Sequence, residues 1–359
     1  WGVSCSAMLV VLLVLLARGA ALRVPECLAR RFARRSLPPQ YLVPLAGPTA
    51  VPPPTAEGPP VRPPPEWRGL VRMARPNGLP QAAAAVFLGA YGARHVTTGS
   101  SNPVPIARLA LATLLTAIVT SSSMLLNDFY DYRRGVDAQK PHKELVSGRV
   151  RLETVKTTLK WVYAGHLALV CLLDSVMLRL AVLANTLLTY VYTPHLKPVT
   201  GLKNVVCATV IACAVGVGAV ASASSARMEL AALRAVWRPL VAVAGLIWHR
   251  ELLMDIADRD GDRDAGLRTV PVVFGTNAAF AASLVPLGIA GVVAATVSGS
   301  VVRKLLAAAP LAVQAGLALV WARRGEDEET TKEPRGTRGT AAIEAAPYLL
   351  LGSLIALTA

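Results

Sequence analysis

The chain has 359 residues, of which 53% are hydrophobic and only 16% charged, and its mean hydropathy is +0.48. Soluble domains carry roughly 25% charged residues, so this composition excludes a single water-soluble globule and implies a membrane protein. The net charge of +15 does not mark a nucleic-acid surface. Residues 1–80 alone hold ten Arg, no Lys and three acids, without the folded, base-reading face such a partner needs. Cys5, Cys27, Cys171, Cys207 and Cys213 have no metal-ligand spacing and read as packing thiols rather than a disulfide framework.

In chain order, residues 8–17 form a ten-residue apolar run, too short to span a bilayer and suited to a signal h-region. Residues 18–40 are rich in Arg and nearly free of acids, as in a transit peptide. A signal followed by a transit-like segment predicts delivery to a plastid of secondary origin, with the motif loops on the stromal side. The alternatives are the mitochondrial inner membrane and the endomembranes. Twelve prolines between positions 38 and 65 predict an extended linker. Residues 1–65 are therefore expected to be a targeting presequence and linker, and residues 66–359 one membrane domain.

Nine apolar segments follow, at about 80–98, 105–127, 154–174, 176–193, 204–222, 237–254, 277–298, 303–322 and 341–358. Each approaches the ~20 residues that cross ~30 Å of hydrocarbon. The predicted fold class is all-α: a polytopic membrane protein with about nine transmembrane helices around a central active-site cavity. Loop Lys and Arg residues number twenty on the side of the second, fourth and sixth segment ends and seven on the other. That side is expected to face the cytoplasm or its organellar equivalent.

Two acidic stripes terminate two of these segments. Asn127, Asp128 and Asp131 close the second, and Asp255, Asp258 and Asp262 close the sixth. The i, i+4 and i, i+3, i+7 spacings put oxygen-bearing side chains on one helix face. Carboxylates at the mouth of a membrane helix are costly unless used, and oxygen-only ligands suit Mg²⁺ bridged to substrate phosphates. Both stripes follow even-numbered segments, so both emerge on one side. Two Mg²⁺ ions and a diphosphate are the expected cargo.

These motifs resemble the UbiA-type intramembrane prenyltransferases. Asn127-Asp128-Phe129-Tyr130-Asp131 is similar to their first signature. Asp255, Asp258, Gly261, Asp262, Gly266, Arg268, Thr269 and Pro271 are similar to their second, and the loop from Pro141 to Arg149 to a third. In that loop Lys143 stands for the usual Arg and Glu144 for a Pro. The resemblance implies a prenyltransferase in which Asn127, Asp128, Asp131, Asp255, Asp258 and Asp262 hold metal, with Asp128, Asp131, Asp258 and Asp262 catalytic. It also implies that Asn127, Lys143, Arg149, Lys203 and Arg268 bind the diphosphate. A prenyl diphosphate donor and a lipophilic or aromatic acceptor are the implied partners, within a lipid bilayer. Tyr132-Arg133-Arg134-Gly135-Val136-Asp137 is similar to the branch that prenylates naphthoates, whereas the stretch from Gly261 to Pro271 is more like branches serving glycerol-ether lipids, chlorophyll and homogentisate. An aromatic quinone precursor is the preferred acceptor. The alternatives are a chlorophyllide-type or glycerol-ether acceptor, or a non-catalytic assembly or transport protein on the same fold.

Overall fold

A computed structural model describes residues 65–97, 105–137, 140–264, 266–329 and 341–358. The predicted presequence and most of the linker lie outside the described residues. Within them the chain is all-helical. It opens with a short amphipathic helix, α1 (Glu66–Met73), with Glu66 in its first turn and Arg72 in its last, each favourable to the helix dipole. Arg75 then turns in the left-handed region, at φ 48°, ahead of a 3₁₀ turn over Pro76–Gly78.

The long helices follow: α2 (Leu79–Thr97), α3 (Ile106–Arg133), α4 (Leu152–Cys171), α5 (Val176–Val191) and α6 (Leu202–Ala221). After a short α7 (Ala226–Ala235) come α8 (Trp237–Ala257), two short pieces α9 (Arg259–Asp264) and α10 (Val270–Phe274), and then α11 (Thr276–Ala295), α12 (Val301–Glu329) and α13 (Ala341–Thr358).

All nine predicted segments are helical among the described residues, but the count of nine membrane spans is not reached by length and apolarity. Five helices qualify (α3, α5 with its extension, α6, α11 and the first part of α12), and a sixth if α7 and α8, bent by 51°, count as one span. The physical reasons are local. Glu153, Lys156 and Lys160 open α4, Pro80, Gln81 and Arg94 dilute α2, and α13 is short.

Small residues decide how the helices meet. A Cβ on Gly218 of α6 would lie 1.8 Å from the Val86 carbonyl oxygen of α2, and one on Gly89 would lie 1.9 Å from the Val215 carbonyl. Backbone therefore touches backbone, the packing that membrane helices use in place of a hydrophobic driving force. α6 is the most enclosed of the qualifying spans. One apolar cluster joins it to α2, α3 and α5, and another joins it to α7, α8 and α13. A third cluster links α8 to α11, α12 and α13, and Arg94 of α2 donates to the Thr358 carbonyl at 2.7 Å, so the last helix returns to the first long one. At 28 residues, α3 is about 42 Å long, and its acidic end projects beyond a hydrocarbon layer of ~30 Å. Its opposite end carries half-buried Arg108, which pairs with Glu229 of α7 and donates to the Val220 and Ala223 carbonyls.

Candidate active site

The acidic end of α3 places Asn127 and Asp131 one turn apart, and Asn127 Nδ2 donates to Asp131 Oδ2 at 2.9 Å. Lys197 closes the pair. Its ammonium lies 2.8 Å from Asn127 Oδ1 and 2.7 and 2.8 Å from the two Asp131 oxygens. It gets there through a single π-turn, Tyr192–Leu196, at the end of α5. Pro194 has no N–H and its ring clashes with the preceding turn, so the helix widens, and Lys197 N reaches back five residues to the Tyr192 carbonyl at 2.7 Å. Arg134 satisfies two carbonyls of this turn, Thr193 at 3.1 Å and Pro194 at 2.6 Å.

Asp128 faces other partners. Lys143 Nζ stands 2.7 Å from its Oδ1 and Arg75 Nη2 3.2 Å from the same atom. Buried Asp137 steadies this side, 3.0 Å from Lys140 and 3.5 Å from Lys143. The Lys140 ammonium loses ground to burial, yet its bond to Asp137 and the charges of Asp137, Asp131 and Asp258 together raise its pKa above the ordinary lysine value. One lysine thus feels both acidic motifs.

The second motif leaves α8. Asp255 is met by Lys203 at 2.5 Å and by Asn204 Nδ2 at 2.9 Å, both from the start of α6. Asp258 caps α8 and is exposed, and Asp262 is half-buried in α9. Burial pushes the Asp262 carboxyl up, against the pull of the Lys203 charge. The following strip folds back, with the Thr200 hydroxyl donating to the Arg268 carbonyl at 2.6 Å. Between the motifs lies a cavity whose lining includes Asp131, Arg134, Lys197, Lys203, Arg268 and Thr269, four cationic side chains around one carboxylate.

The structure therefore brings Asn127, Asp128, Asp131 and Lys143 together on one side, and Asp255 with Lys203 on the other, with Asp258, Asp262 and Arg268 leaving the same strip. Arg149 is placed differently. Its guanidinium goes to Glu144 at 2.9 Å and to the His142 carbonyl at 2.7 Å. Lys197, Lys140, Arg75 and Arg134 are charged groups that sequence reasoning left out of the site. Lys197 had one signal, its place in a cationic loop on the motif side.

Among the described residues no three carboxylate, imidazole or thiol groups stand close enough to share a metal ion; Asp128, Asp131 and Asp255 are each met by an ammonium. The donor set is nonetheless all oxygen. Fully buried Asn204 also keeps its Oδ1 without a hydrogen-bond partner in the chain. Such donors fit a hard cation such as Mg²⁺ and suit neither zinc nor copper. The three free cysteines among the described residues, Cys171, Cys207 and Cys213, form no disulfide.

Two acidic helix ends at the rim of a bundle of apolar helices, the first of them lining a cationic cavity, belong to an integral, multi-pass membrane protein. Residues 82–338 match the UbiA prenyltransferase family, and the chain belongs to that family; it is a prenyltransferase. Digeranylgeranylglyceryl phosphate synthase of Hyperthermus butylicus is 30% identical over 225 residues, 62% of this chain and 72% of the relative. The protein of the same name from Halobacterium salinarum is 33% identical over 220 residues, 61% of this chain and 73% of the relative. The fold is shared with solved structures. A UbiA homologue from Aeropyrum pernix superposes with a TM-score of 0.59 at 21% identity, over 78% of this chain and 95% of that one. A UbiA homologue from Archaeoglobus fulgidus, bound to GPP and Mg²⁺, gives 0.51 at 18% identity, over 81% of this chain and all of that one.

Proposed function

We propose that this prenyltransferase moves a polyprenyl group from its diphosphate to a hydroxyl of a phosphorylated glycerol lipid. The C–O bond to diphosphate breaks, the diphosphate leaves with the electron pair, the acceptor oxygen bonds to the resulting allylic cation, and the hydroxyl proton passes to the departing diphosphate. The observation that carries the reading is the cationic cavity beside the first motif, which suits phosphorylated substrates, taken with relatives named for glyceryl phosphate prenylation. The stretch that favoured an aromatic quinone precursor, from Tyr132 to Asp137, is occupied with the fold. Arg134 caps the π-turn, Arg133 stacks on Phe129 and Asp137 holds Lys140 and Lys143.

Mg²⁺, held by Asn127, Asp128 and Asp131 on one side and Asp255, Asp258 and Asp262 on the other, would supply charge neutralisation of the leaving diphosphate. The A. fulgidus homologue bound to GPP and Mg²⁺ supports Mg²⁺ as the ion. Lys143, Lys197, Lys203 and Arg268 stabilise the charge that develops on the departing oxygens. The apolar helices hold the prenyl tail and keep water from the allylic cation. The arginine-rich N-terminal stretch supports delivery to an organellar membrane, the plastid first. Product analysis with labelled prenyl diphosphates and a panel of glycerol-ether phosphates and aromatic acceptors tests the acceptor; an aromatic product alone overturns it. For the site, Asp131→Asn and Asp258→Asn should each remove most activity, and the double change should cost much less than the product of the two. Exposed Asp264→Asn should stay close to wild type. Both single variants folded and active would place the diphosphate elsewhere.

A further inference from the structure

The loop at 140–151 carries Lys140, Lys143, Arg149 and Arg151 but a single carboxylate, Glu144. That side chain is only 9% exposed. Arg72 of α1 grips it with two bonds, Nε to Oε1 at 2.7 Å and Nη2 to Oε2 at 3.1 Å, and Arg149 Nε adds a third at 2.9 Å. Gly69 lets α1 lie this close, since a Cβ there would meet Val150 at 2.2 Å and Glu144 Oε2 at 3.2 Å. Beneath the clasp Met73, Leu145 and Val150 pack with Leu125, Leu126 and Phe129 of α3. The two cations on Asp128 leave from the two halves of this clasp. Lys143 is the residue before Glu144, and Arg75 follows Arg72 by three positions through the left-handed turn.

We infer that Glu144 is a positioning residue of the candidate active site: it docks α1 on the loop and so sets Lys143 and Arg75 against Asp128. Without the carboxylate, Arg72 and Arg149 face each other as like charges. The clasp opens, and Lys143 and Arg75 lose the fixed backbone from which they reach Asp128. The inference rests on the diphosphate reading of that site given above.

The test is calorimetric titration of the full chain in detergent with inorganic pyrophosphate and Mg²⁺, alongside prenyl-transfer kinetics and thermal unfolding. Glu144→Gln should weaken pyrophosphate binding about tenfold, within the range of couplings between neighbouring charged groups, and raise KM for the prenyl diphosphate more than it lowers kcat. Lys143→Met should also weaken binding, and the double variant should lose clearly less than the product of the two single losses, because only Arg75 is then left for Glu144 to place. Glu144→Asp should recover most of the affinity, and Arg72→Gln, the milder cut, should show the same dependence on Lys143 if Glu144→Gln does not fold. Glu153→Gln, at an exposed pair on α4, should behave as wild type. Wild-type affinity in Glu144→Gln, or losses that multiply in the double variant, overturn the inference, because a merely structural role lowers the melting point and leaves the folded protein's affinity alone. Wild-type protein that binds magnesium pyrophosphate but transfers no prenyl group refutes the proposed function and not this inference; no binding at all refutes both.

Discussion

Lys197→Met removes an ammonium that touches three oxygens on two side chains while keeping most of the unbranched stem. The side chains of Lys197 and Asp131 are 23% and 9% exposed. Breaking one side of a fully buried pair costs about 3–5 kcal/mol, and the partial exposure of Lys197 brings this to about 2–3 kcal/mol. Asn127 Nδ2 remains on Asp131, so the carboxylate is not stripped bare. The cost should appear as a lower melting temperature without Mg²⁺, and millimolar Mg²⁺ should restore most of it by taking up the unpaired carboxylate. The rate should not recover. A lost cation at the leaving diphosphate is comparable to a lost oxyanion donor, about 10²–10³ in kcat. The assay is diphosphate release from a prenyl diphosphate in membranes at saturating Mg²⁺, with unfolding followed in parallel. A folded Lys197→Met protein with near-wild-type turnover would refute the assignment of this lysine to the diphosphate site.

Two further outcomes follow from packing and charge. Gly218→Ala drives a methyl into the Val86 carbonyl and should cost about 3 kcal/mol or more, read as earlier unfolding in detergent titration, whereas exposed Gly165→Ala on α4, with open space around it, should be neutral or gain about 0.5–1 kcal/mol; equal losses would mean that α2 and α6 do not touch as described. The Glu144 carboxyl is held below its ordinary value of 4.5, chiefly by the Arg72 hydrogen bond, which together with Arg149 outweighs the opposing cost of burial. A depressed carboxyl contributes stability that is complete above its unfolded value and is lost as pH falls through the folded one. The melting-point gap between wild type and Glu144→Gln should therefore be constant from about pH 5 to 7 and close below about pH 4.5; a gap that persists in acid would show that the ion pairs are not its source.

What the sequence made legible was periodic. The stripes at Asn127–Asp131 and Asp255–Asp262 declared themselves because helical spacing and an adjoining apolar run need no tertiary information. The long helices were legible for the same reason. Short elements were not: α1 and α7 are too brief for a periodic signal, and both matter only through partners far away in sequence, Glu144 for Arg72 and Arg108 for Glu229. Arg149 and Lys197 show the other limit. Both are cations in motif-side loops, and nothing local says that one turns to Glu144 while the other is carried onto Asp131. Asp137 lies beyond the point where Gly135, at φ 75°, ends α3, so only the folded loop could give it to Lys140 and Lys143.

The π-turn before Lys197 has a consequence for how this chain can vary over evolutionary time. Such a turn amounts to one extra residue let into a helix, and each residue of helix advances the chain by about 100°. At unchanged length, five residues of ordinary helix would turn the chain through about 500°, where the widened turn closes in about one turn, so loss of the widening alone would swing Lys197 about a quarter-turn away from Asp131 while leaving every membrane-facing residue of α5 in place. Length and widening are thus linked in this stretch: losing one residue together with the widening keeps Lys197 in place, and losing the widening alone does not. Pro194 can be exchanged wherever another break keeps the widened turn, and Arg134 tolerates replacement to the extent that the Thr193 and Pro194 carbonyls find another donor. Across descendants of this sequence, a gap within these five positions should be a single residue long and should accompany loss of the proline break.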